Sequence, residues 1–356
     1  RIVLSNASYQ WGGVHRITEA LAVGLQLRGH EVVVFGRPDS PLYDRLREVA
    51  PFEPILKGMD LHPRVVWRAR SALRHYGTEV VLTLMKKDVR LTGPAAWSLG
   101  IPVVVRHAND RPLRGTPIDR LLFGRVPVMH VANSRATRET LLGAARWLRP
   151  DAVTVVHNGI DPALFAGAEP AALGLPDGAL VVGFIGRFER RKGLIDLARA
   201  WPAVAEAAPE AHLVLVGKGP AEAEARALLG SVPRVHWLGY QTDIPALLRS
   251  MHLLAVPSHW EGFGLVAAEA LAAGIPVVAA RASSLPEIVE DGVHGLLVPP
   301  HDPPALEAAL LRLARDPAER ARMGAAGQAL VAAEFSVERM LDRYEELLGR
   351  VVTSRE

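Results

Sequence analysis

The chain has no cysteine, and none of its apolar runs is long enough to cross a membrane. The missing cysteine excludes disulfide bonds and thiol chemistry. No signal peptide precedes the first predicted strand, which begins at Ile2. Together with a hydrophobic content of 49%, these absences predict a soluble, globular, cytoplasmic protein.

Acidic residues are scarce in the first half of the chain. Residues 1–160 hold 23 Lys and Arg against 13 Asp and Glu, a net charge of +10, whereas residues 161–356 hold 18 against 25, a net charge of −7. This asymmetry predicts that the first half meets an anionic partner, either a membrane surface or a phosphorylated acceptor. Nucleic acid is disfavoured because no aromatic-interleaved basic strand or recognition helix is present.

Two familiar nucleotide motifs are also missing after the first strand. Neither a Walker A motif nor a dinucleotide G-x-G-x-x-G follows it, which disfavours nucleotide hydrolysis and hydride transfer. At 356 residues, alternating apolar runs and helical patterns predict two successive α/β domains. We expect residues 1–165 to form the first, 166–178 a linker and 178–336 the second, with an amphipathic last helix within 337–356.

Basic and glycine residues follow the predicted strands of the first half. Gly12 and Gly13 separate the first strand from a helix, a pattern that lets backbone N–H groups cradle a phosphate or a sugar. His107 directly follows a buried strand; from position alone, a site residue and a structural hydrogen-bonding histidine are equally expected. The basic candidates for acceptor binding at these strand ends are Lys86, Lys87, Arg106 and Arg111.

A basic helix is predicted from His62 to Tyr76, with Trp67 and Leu73 packing inward and its arginines facing outward. Basic amphipathic helices serve both as solvated surface and as membrane-contact faces. Of the two, the sequence favours a solvated surface for this helix.

Charged and glycine residues also end the strands of the second half. Arg187 and Lys192 bracket a loop before a helix, where two cations can meet phosphate oxygens. Lys218 stands among glycines after the next strand. Tyr240 follows a further strand, in a loop suited to hold a nucleobase.

The most informative stretch is Pro257–Gly274, which reads as a strand end, a glycine-rich turn and an alanine-rich helix. It carries Glu261 in the turn and Glu269 on the helix. The first N–H groups of this helix would attract an anion. A buried carboxylate costs desolvation unless something binds it, so these two glutamates are predicted site residues.

Taken together, the motifs resemble the retaining group 1 (family 4) glycosyltransferases of the GT-B fold, and the resemblance spans nearly the whole chain. Five matches carry it, in order: Gly12-Gly13, Asn158-Gly159-Ile160-Asp161, Gly186-Arg187 with Lys192-Gly193, Leu215-Val216-Gly217 with Gly219, and Pro257-Ser258 through Glu261-Gly262-Phe263-Gly264 to Glu269-Ala270. The resemblance implies two Rossmann-like domains facing across a cleft, with the last helix crossing back to the first domain.

The resemblance also implies a role for each matched residue. Arg187 and Lys192 would bind the donor diphosphate, Glu261 the sugar hydroxyls and Glu269 the ribose, while His107 would orient or polarise the donor. Further donor contacts would come from Gly12, Gly13, Lys218, Tyr240, Gly262, Phe263, Gly264 and Leu265. Two cations and a helix end would neutralise the leaving diphosphate, so no metal or other cofactor is expected. The chain accordingly lacks the Asp-x-Asp motif of metal-dependent transferases.

Three functions remain open at this point. The first is transfer of a sugar from a nucleotide-diphosphate sugar to an acceptor hydroxyl, on a lipid-linked, lipopolysaccharide-type or other anionic glycan of a bacterium. That enzyme would be cytoplasmic, with peripheral attachment to the inner face of the membrane. The alternatives are a nucleotide-sugar epimerase of the same fold and a non-catalytic nucleotide-sugar binding protein.

Overall fold

The computed structural model describes residues 1–9, 11–57, 62–108, 113 and 115–354. These residues form two compact units. Arg1–Gly159 and Val337–Glu356 make the first unit, and Ile160–Ser336 make the second. Each unit is a parallel sheet with connecting helices, so the predicted α/β class is confirmed.

The sheet of the first unit has seven parallel strands in the order β3-β2-β1-β4-β5-β6-β7. Its central strands are apolar runs buried along their whole length, as expected where helices cover both faces of a parallel sheet. The strands are β1 (Ile2–Asn6), β2 (Val32–Gly36), β3 (Phe52–Glu53), β4 (Val80–Thr83), β5 (Val103–His107), β6 (Pro127–Ala132) and β7 (Val153–Val155). The two-residue edge strand β3 was not predicted.

Seven helices connect these strands: α1 (Gly13–Leu27), α2 (Pro41–Leu46), α3 (Pro63–His75), α4 (Lys86–Leu91), α5 (Gly93–Ser98), α6 (Pro117–Gly124) and α7 (Arg135–Ala144). Helices α4 and α5 meet at Thr92, because Pro94 has no N–H and fits only the first turn of a new helix.

The last helix, α16 (Val337–Thr353), returns to the first unit as predicted. Its apolar side packs into the same core as Leu21 and Leu25 of α1, and Tyr344 is only 1% exposed. Contact with α1 is close, since a Cβ on Gly24 would lie 2.3 Å from Leu341. Burial of this face explains why the helix belongs to the first unit.

The sheet of the second unit has six parallel strands in the order β10-β9-β8-β11-β12-β13. They are β8 (Leu180–Ile185), β9 (Ala211–Val216), β10 (Val235–Gly239), β11 (Leu253–Val256), β12 (Val277–Ala280) and β13 (Gly295–Val298). The helices are α8 (Pro162–Ala166), α9 (Leu194–Ala207), α10 (Glu222–Leu229), α11 (Ile244–Arg249), α12 (Leu265–Ala272), α13 (Leu285–Ile288), α14 (Pro303–Arg315) and α15 (Pro317–Glu334). No helix in the described ranges is both long and apolar enough to cross a membrane.

Contacts assign residues 160–178 to the second unit, whereas the sequence divided them between the first domain and a linker. Phe165 of α8 is buried in the core of the second unit, and Leu173 and Leu175 pack against that core. The N–H of Ala171 also donates to the carbonyl of Ala246 at 2.9 Å. These contacts hold the segment against the second unit, although its Ala, Gly and Pro content had predicted a linker.

Both sheets place their first strand near the middle, and the chain then reverses its direction of growth. The reversal lies between β1 and β4 in the first sheet and between β8 and β11 in the second. Loops at the carboxyl ends of such strand pairs are where open α/β sheets bind ligands. The predicted site residues lie mostly on these loops.

Candidate active site

In the second unit, the loops after β8 and β11 are in direct backbone contact. Gly193 has a φ of 72°, and a Cβ there would lie 1.9 Å from the carbonyl oxygen of Pro257. The N–H of His259 donates to the carbonyl of Arg191 at 2.9 Å. Only glycine permits this conformation and this approach, so Gly193 fixes the distance between the two loops.

An ion pair joins the same two loops through their side chains. Lys192 Nζ lies 2.6 Å from Glu261 Oε1, and the side chains are 20% and 10% exposed. Ser258 Oγ donates to the same carboxylate oxygen at 2.9 Å. The backbone carbonyl of Glu261 accepts hydrogen bonds from Ser283 and Ser284 at 2.7 and 3.0 Å. Glu261 is therefore held at both its side chain and its backbone.

The loop that carries Glu261 leads directly into α12. The helix begins after Gly264, whose φ is 87°, and no side chain caps its start. The side chain of Phe263 is 2% exposed and packs edge-on against Phe335, so only the backbone of this residue is available to a ligand. Glu269 lies on the helix and is only 3% exposed.

Arg187 extends from the end of β8 with 71% of its side chain exposed and pairs with Glu189 at 3.0 Å. Arg191 pairs with the same carboxylate at 2.6 Å. Burial alone would raise the pKa of Glu189, yet that pKa lies below its ordinary value because the two arginines favour the charged form. Arg187 and Lys192 thus belong to one short, strongly cationic loop.

Two further predicted donor contacts lie on neighbouring strand ends. Lys218 is exposed in the loop after β9, which approaches the β8 loop so closely that a Cβ on Gly217 would lie 1.8 Å from the carbonyl oxygen of Gly186. Tyr240 is 61% exposed directly after β10. The predicted donor-binding residues of the second unit therefore lie at the carboxyl ends of four neighbouring strands, from β11 to β10.

In the first unit, Asp88 connects the two loops at the strand reversal. Its carboxylate accepts the N–H of Ala7, in the β1–α1 loop, at 2.7 Å and that of Met85, after β4, at 2.9 Å. Burial raises the pKa of Asp88 to about 8, although backbone donors and Lys87 oppose the rise. Nearby, a Cβ on Gly12, which precedes α1, would meet no atom within 4 Å.

His107 is the last residue of β5, is 2% exposed and hydrogen-bonds another histidine. Its Nε2 lies 2.9 Å from Nδ1 of His130 on β6. Burial, then His130, Lys86 and Arg106, lower the pKa of His107 well below its ordinary value. Burial also lowers the pKa of His130, to about 4. Both rings are therefore neutral near pH 7.

Arg106 differs from its predicted role. It was expected to meet an acceptor, but it is 2% exposed and donates to Asn158 Oδ1 at 2.6 Å. Its guanidinium also interacts with the buried Tyr344 of α16. These contacts place Arg106 inside the first unit, and we remove it from the acceptor candidates.

Lys86 and Lys87 open α4. Lys87 is partly exposed, whereas Nζ of Lys86 is buried. Arg111 lies outside the described residues. The acceptor roles of the two lysines stay predictions.

Helix α3 exposes an aromatic residue that was expected inside. Trp67 is 70% exposed, and Trp97 on the neighbouring helix α5 is 56% exposed. Arg64, Arg68 and Arg74 are exposed on the same helix. Val65, Ala69 and Leu73 form the buried side of α3 instead, which turns Trp67 outward.

One group of metal-ligand types occurs in the described part of the chain. Donor atoms of Asp196, His259 and His301 lie within 4.8 Å of one another. His259 Nε2, however, is 2.6 Å from Asp196 Oδ2. Two ligands of one zinc ion would be separated by about 3.4 Å, given bonds of about 2.1 Å in tetrahedral geometry. This geometry is a direct hydrogen bond rather than a preformed metal site.

Sequence reasoning missed Asp88 and His130 as site residues. The position of Asp88 could have indicated its role, since an acidic residue at the third position of a helix commonly accepts a backbone N–H group at the start of that helix. No sequence pattern could have indicated His130, because its partner His107 is known only from the pairing of β6 with β5.

Comparison with known proteins agrees with this architecture. A family model described as "Glycosyltransferase Family 4" matches residues 11–164, and one described as "Glycosyl transferases group 1" matches residues 179–316. The chain is 33% identical to a D-inositol 3-phosphate glycosyltransferase of Saccharomonospora viridis, over 95% of this chain and 90% of the relative. It is 38% identical to the protein of the same name from Stackebrandtia nassauensis, over 84% and 74%.

Among solved structures, HepE from Anabaena in complex with UDP and glucose superimposes with a TM-score of 0.82. The match covers 98% of this chain and 99% of HepE at 24% identity. At that identity, the similarity shows a shared fold.

Proposed function

Because the chain belongs to the group 1, family 4 glycosyltransferases and has their GT-B fold of two Rossmann-like domains, we propose that it transfers a sugar from a nucleotide-diphosphate sugar to an acceptor hydroxyl. We further propose that transfer retains the anomeric configuration and requires no metal. The observation that carries the proposal is the Lys192–Glu261 pair at the β8/β11 strand reversal, with Arg187 on the same loop.

Donor binding is assigned to the second unit. When the donor binds, Lys192 leaves Glu261 and pairs with the diphosphate. Arg187 likewise leaves Glu189 for the diphosphate, because a diphosphate carries more negative charge than one carboxylate. Glu261, already held by Ser258, then accepts hydrogen bonds from the sugar hydroxyls. Glu269 receives the ribose hydroxyls. HepE, which was solved with UDP and glucose, supports a nucleotide-sugar donor.

The chemistry follows from the charge that develops on the leaving group. As the bond between the anomeric carbon and the diphosphate breaks, negative charge grows on the phosphate oxygens. Arg187, Lys192 and the start of α12, which no side chain caps, stabilise that charge. Preorganised groups of this kind supply the largest share of many rate enhancements. A metal ion is unnecessary where these groups already neutralise the diphosphate.

An anionic acceptor is proposed for the first unit. The supporting observations are the net charge of +10 over residues 1–160 and the partly exposed Lys87. The relatives named D-inositol 3-phosphate glycosyltransferase also point to a phosphorylated acceptor. We extend the proposal to peripheral attachment at an anionic membrane, supported by the exposed Trp67 on the basic helix α3.

Transfer assays with Arg187→Ala and Glu269→Ala test the proposal. A thermal-shift panel of UDP-, GDP- and ADP-sugars first selects the donor. Each substitution is expected to lower kcat/KM by more than ~100-fold, the scale of one lost preorganised charge contact. Wild-type activity should persist in EDTA, and NMR of the product should show the donor's anomeric configuration. Near-wild-type turnover in both variants contradicts the assignment, and an epimerised donor without transfer indicates an epimerase.

A further inference from the structure

A chain of hydrogen bonds fixes the proton positions on two buried histidines. Burial lowers the pKa of His130 and a hydrogen bond with the backbone of Phe123 opposes that change, so the ring donates an N–H to the Phe123 carbonyl. Its other nitrogen, Nδ1, is the one that faces His107. A neutral imidazole carries a proton on only one nitrogen, so Nδ1 of His130 must be the acceptor of that hydrogen bond.

The proton between the two rings therefore belongs to His107. Its Nε2 donates to His130 Nδ1 over 2.9 Å. A neutral His107 that is protonated at Nε2 has a bare lone pair at Nδ1. That atom is buried and has no hydrogen-bond partner among the residues that the structure describes. Buried polar atoms are nearly always satisfied, so this exception indicates a place for a ligand donor.

The surroundings hold His107 in this neutral form. Besides His130 on β6, the charged groups that act on the ring are Lys86 at the start of α4 and Arg106 on β5. Both are cations, and both oppose the arrival of a further proton. Among the residues that the structure describes, no carboxylate shifts the ring's protonation. The same proton arrangement therefore persists throughout the neutral pH range.

We propose that His130 is a positioning residue, which fixes His107 as the tautomer protonated at Nε2 so that Nδ1 can accept a hydrogen bond from a substrate hydroxyl. The role of His107 toward a substrate rests on the proposed transferase function. Within the described part of the chain, the tautomer itself depends on Phe123, His130 and His107. His130 contacts no reacting group and acts only through the ring of His107.

NMR tests the tautomer directly in the ligand-free protein. The chain is labelled with ¹⁵N-histidine, and its 13 histidines are recorded by long-range ¹H–¹⁵N correlation. His107 is assigned in uniformly ¹³C,¹⁵N-labelled wild-type protein from its sequential backbone resonances, and the spectrum of a His107→Gln variant checks the assignment. We expect a protonated Nε2 and a bare Nδ1. A proton on Nδ1, or a mixture of both tautomers, overturns the proposal, even if every variant fails to fold.

Two substitutions at position 130 separate positioning from packing. In His130→Asn, the side-chain oxygen replaces the acceptor at Nδ1, so we expect the wild-type tautomer and transfer within about twofold of wild type. His130→Leu keeps a similar volume but removes the acceptor. It should show both tautomers and a kcat about 10-fold lower, the scale of one misdirected hydrogen bond, with the donor KM little changed.

Two outcomes contradict the proposed role of His130. One is a single, wild-type tautomer in His130→Leu together with reduced kcat, which would indicate loss of packing. The other is full activity in His130→Leu despite mixed tautomers. If wild-type protein transfers no sugar, the proposed function fails, whereas the NMR result still decides the tautomer.

Discussion

A methyl group added at Gly193 should destabilise the second unit. The φ of Gly193, 72°, is left-handed, which costs a non-glycine residue about 1–2 kcal/mol. In addition, the new Cβ would lie 1.9 Å from the carbonyl oxygen of Pro257, which no side-chain rotation can relieve. Clashes in packed regions cost about 1–3 kcal/mol. We therefore expect Gly193→Ala to lower the free energy of unfolding by about 3 kcal/mol.

Gly178 provides the matched control in the same unit. Its φ is also left-handed, at 80°, but a Cβ there would meet nothing within 4 Å. Gly178→Ala should cost about 1 kcal/mol, which is the backbone contribution alone. The difference of about 2 kcal/mol between the variants isolates the contact with Pro257. Urea unfolding followed by far-UV circular dichroism measures both values.

The clash should affect transfer as well as stability. Gly193 follows Lys192 directly, and Pro257 lies four residues before Glu261. A shift of about 1 Å in a positioning group can lower a rate by about 100-fold. We expect a loss of that size for Gly193→Ala under conditions where it remains folded, and none for Gly178→Ala. Equal unfolding free energies for the two variants, or unchanged transfer in Gly193→Ala, would refute this reasoning.

Two further predictions concern the first unit. The folded-state pKa of His130, about 4, lies below its unfolded value of 6.5, so its contribution to stability is present above pH 6.5 and is lost as the pH falls toward 4. The difference in unfolding free energy between wild type and His130→Asn should therefore change by about 3 kcal/mol over that pH range. The exposed His75→Gln serves as the control. A difference that stays constant with pH would contradict this prediction. Replacing the exposed Trp67 and Trp97 by Ser should change stability by less than about 0.5 kcal/mol yet weaken binding to anionic vesicles. Unchanged vesicle binding that is also insensitive to salt would argue against membrane attachment.

The second unit could be predicted closely from the sequence because its signals are local. Apolar runs mark each strand, and glycines mark the turns where backbone must approach backbone. Gly193 and Gly264 both have positive φ. Glu261 was predicted as a site residue from its turn alone. Its partner Lys192 was predicted separately, and only the order of β8 and β11 shows why they meet.

The first unit was harder to predict because its decisive contacts join residues far apart in the chain. Arg106 looked like an exposed cation at a strand end, but Asn158 and Tyr344 surround it once α16 returns to this unit. Trp67 illustrates another limit. A helical period identifies two candidate faces, and the side that packs on the sheet is decided by its smaller residues Val65 and Ala69.

Calorimetric titration of UDP, GDP and ADP into wild type and Lys192→Met tests the central claim most directly. Lys57→Met serves as the control, since Lys57 is 64% exposed in the first unit. One nucleotide should bind wild type and Lys57→Met alike, whereas Lys192→Met should raise its Kd by at least about 10-fold, as expected for a lost hydrogen bond to a charged group. Equal affinity of that nucleotide for all three proteins, or no binding of any nucleotide to wild type, would contradict the claim that Lys192 holds the donor diphosphate.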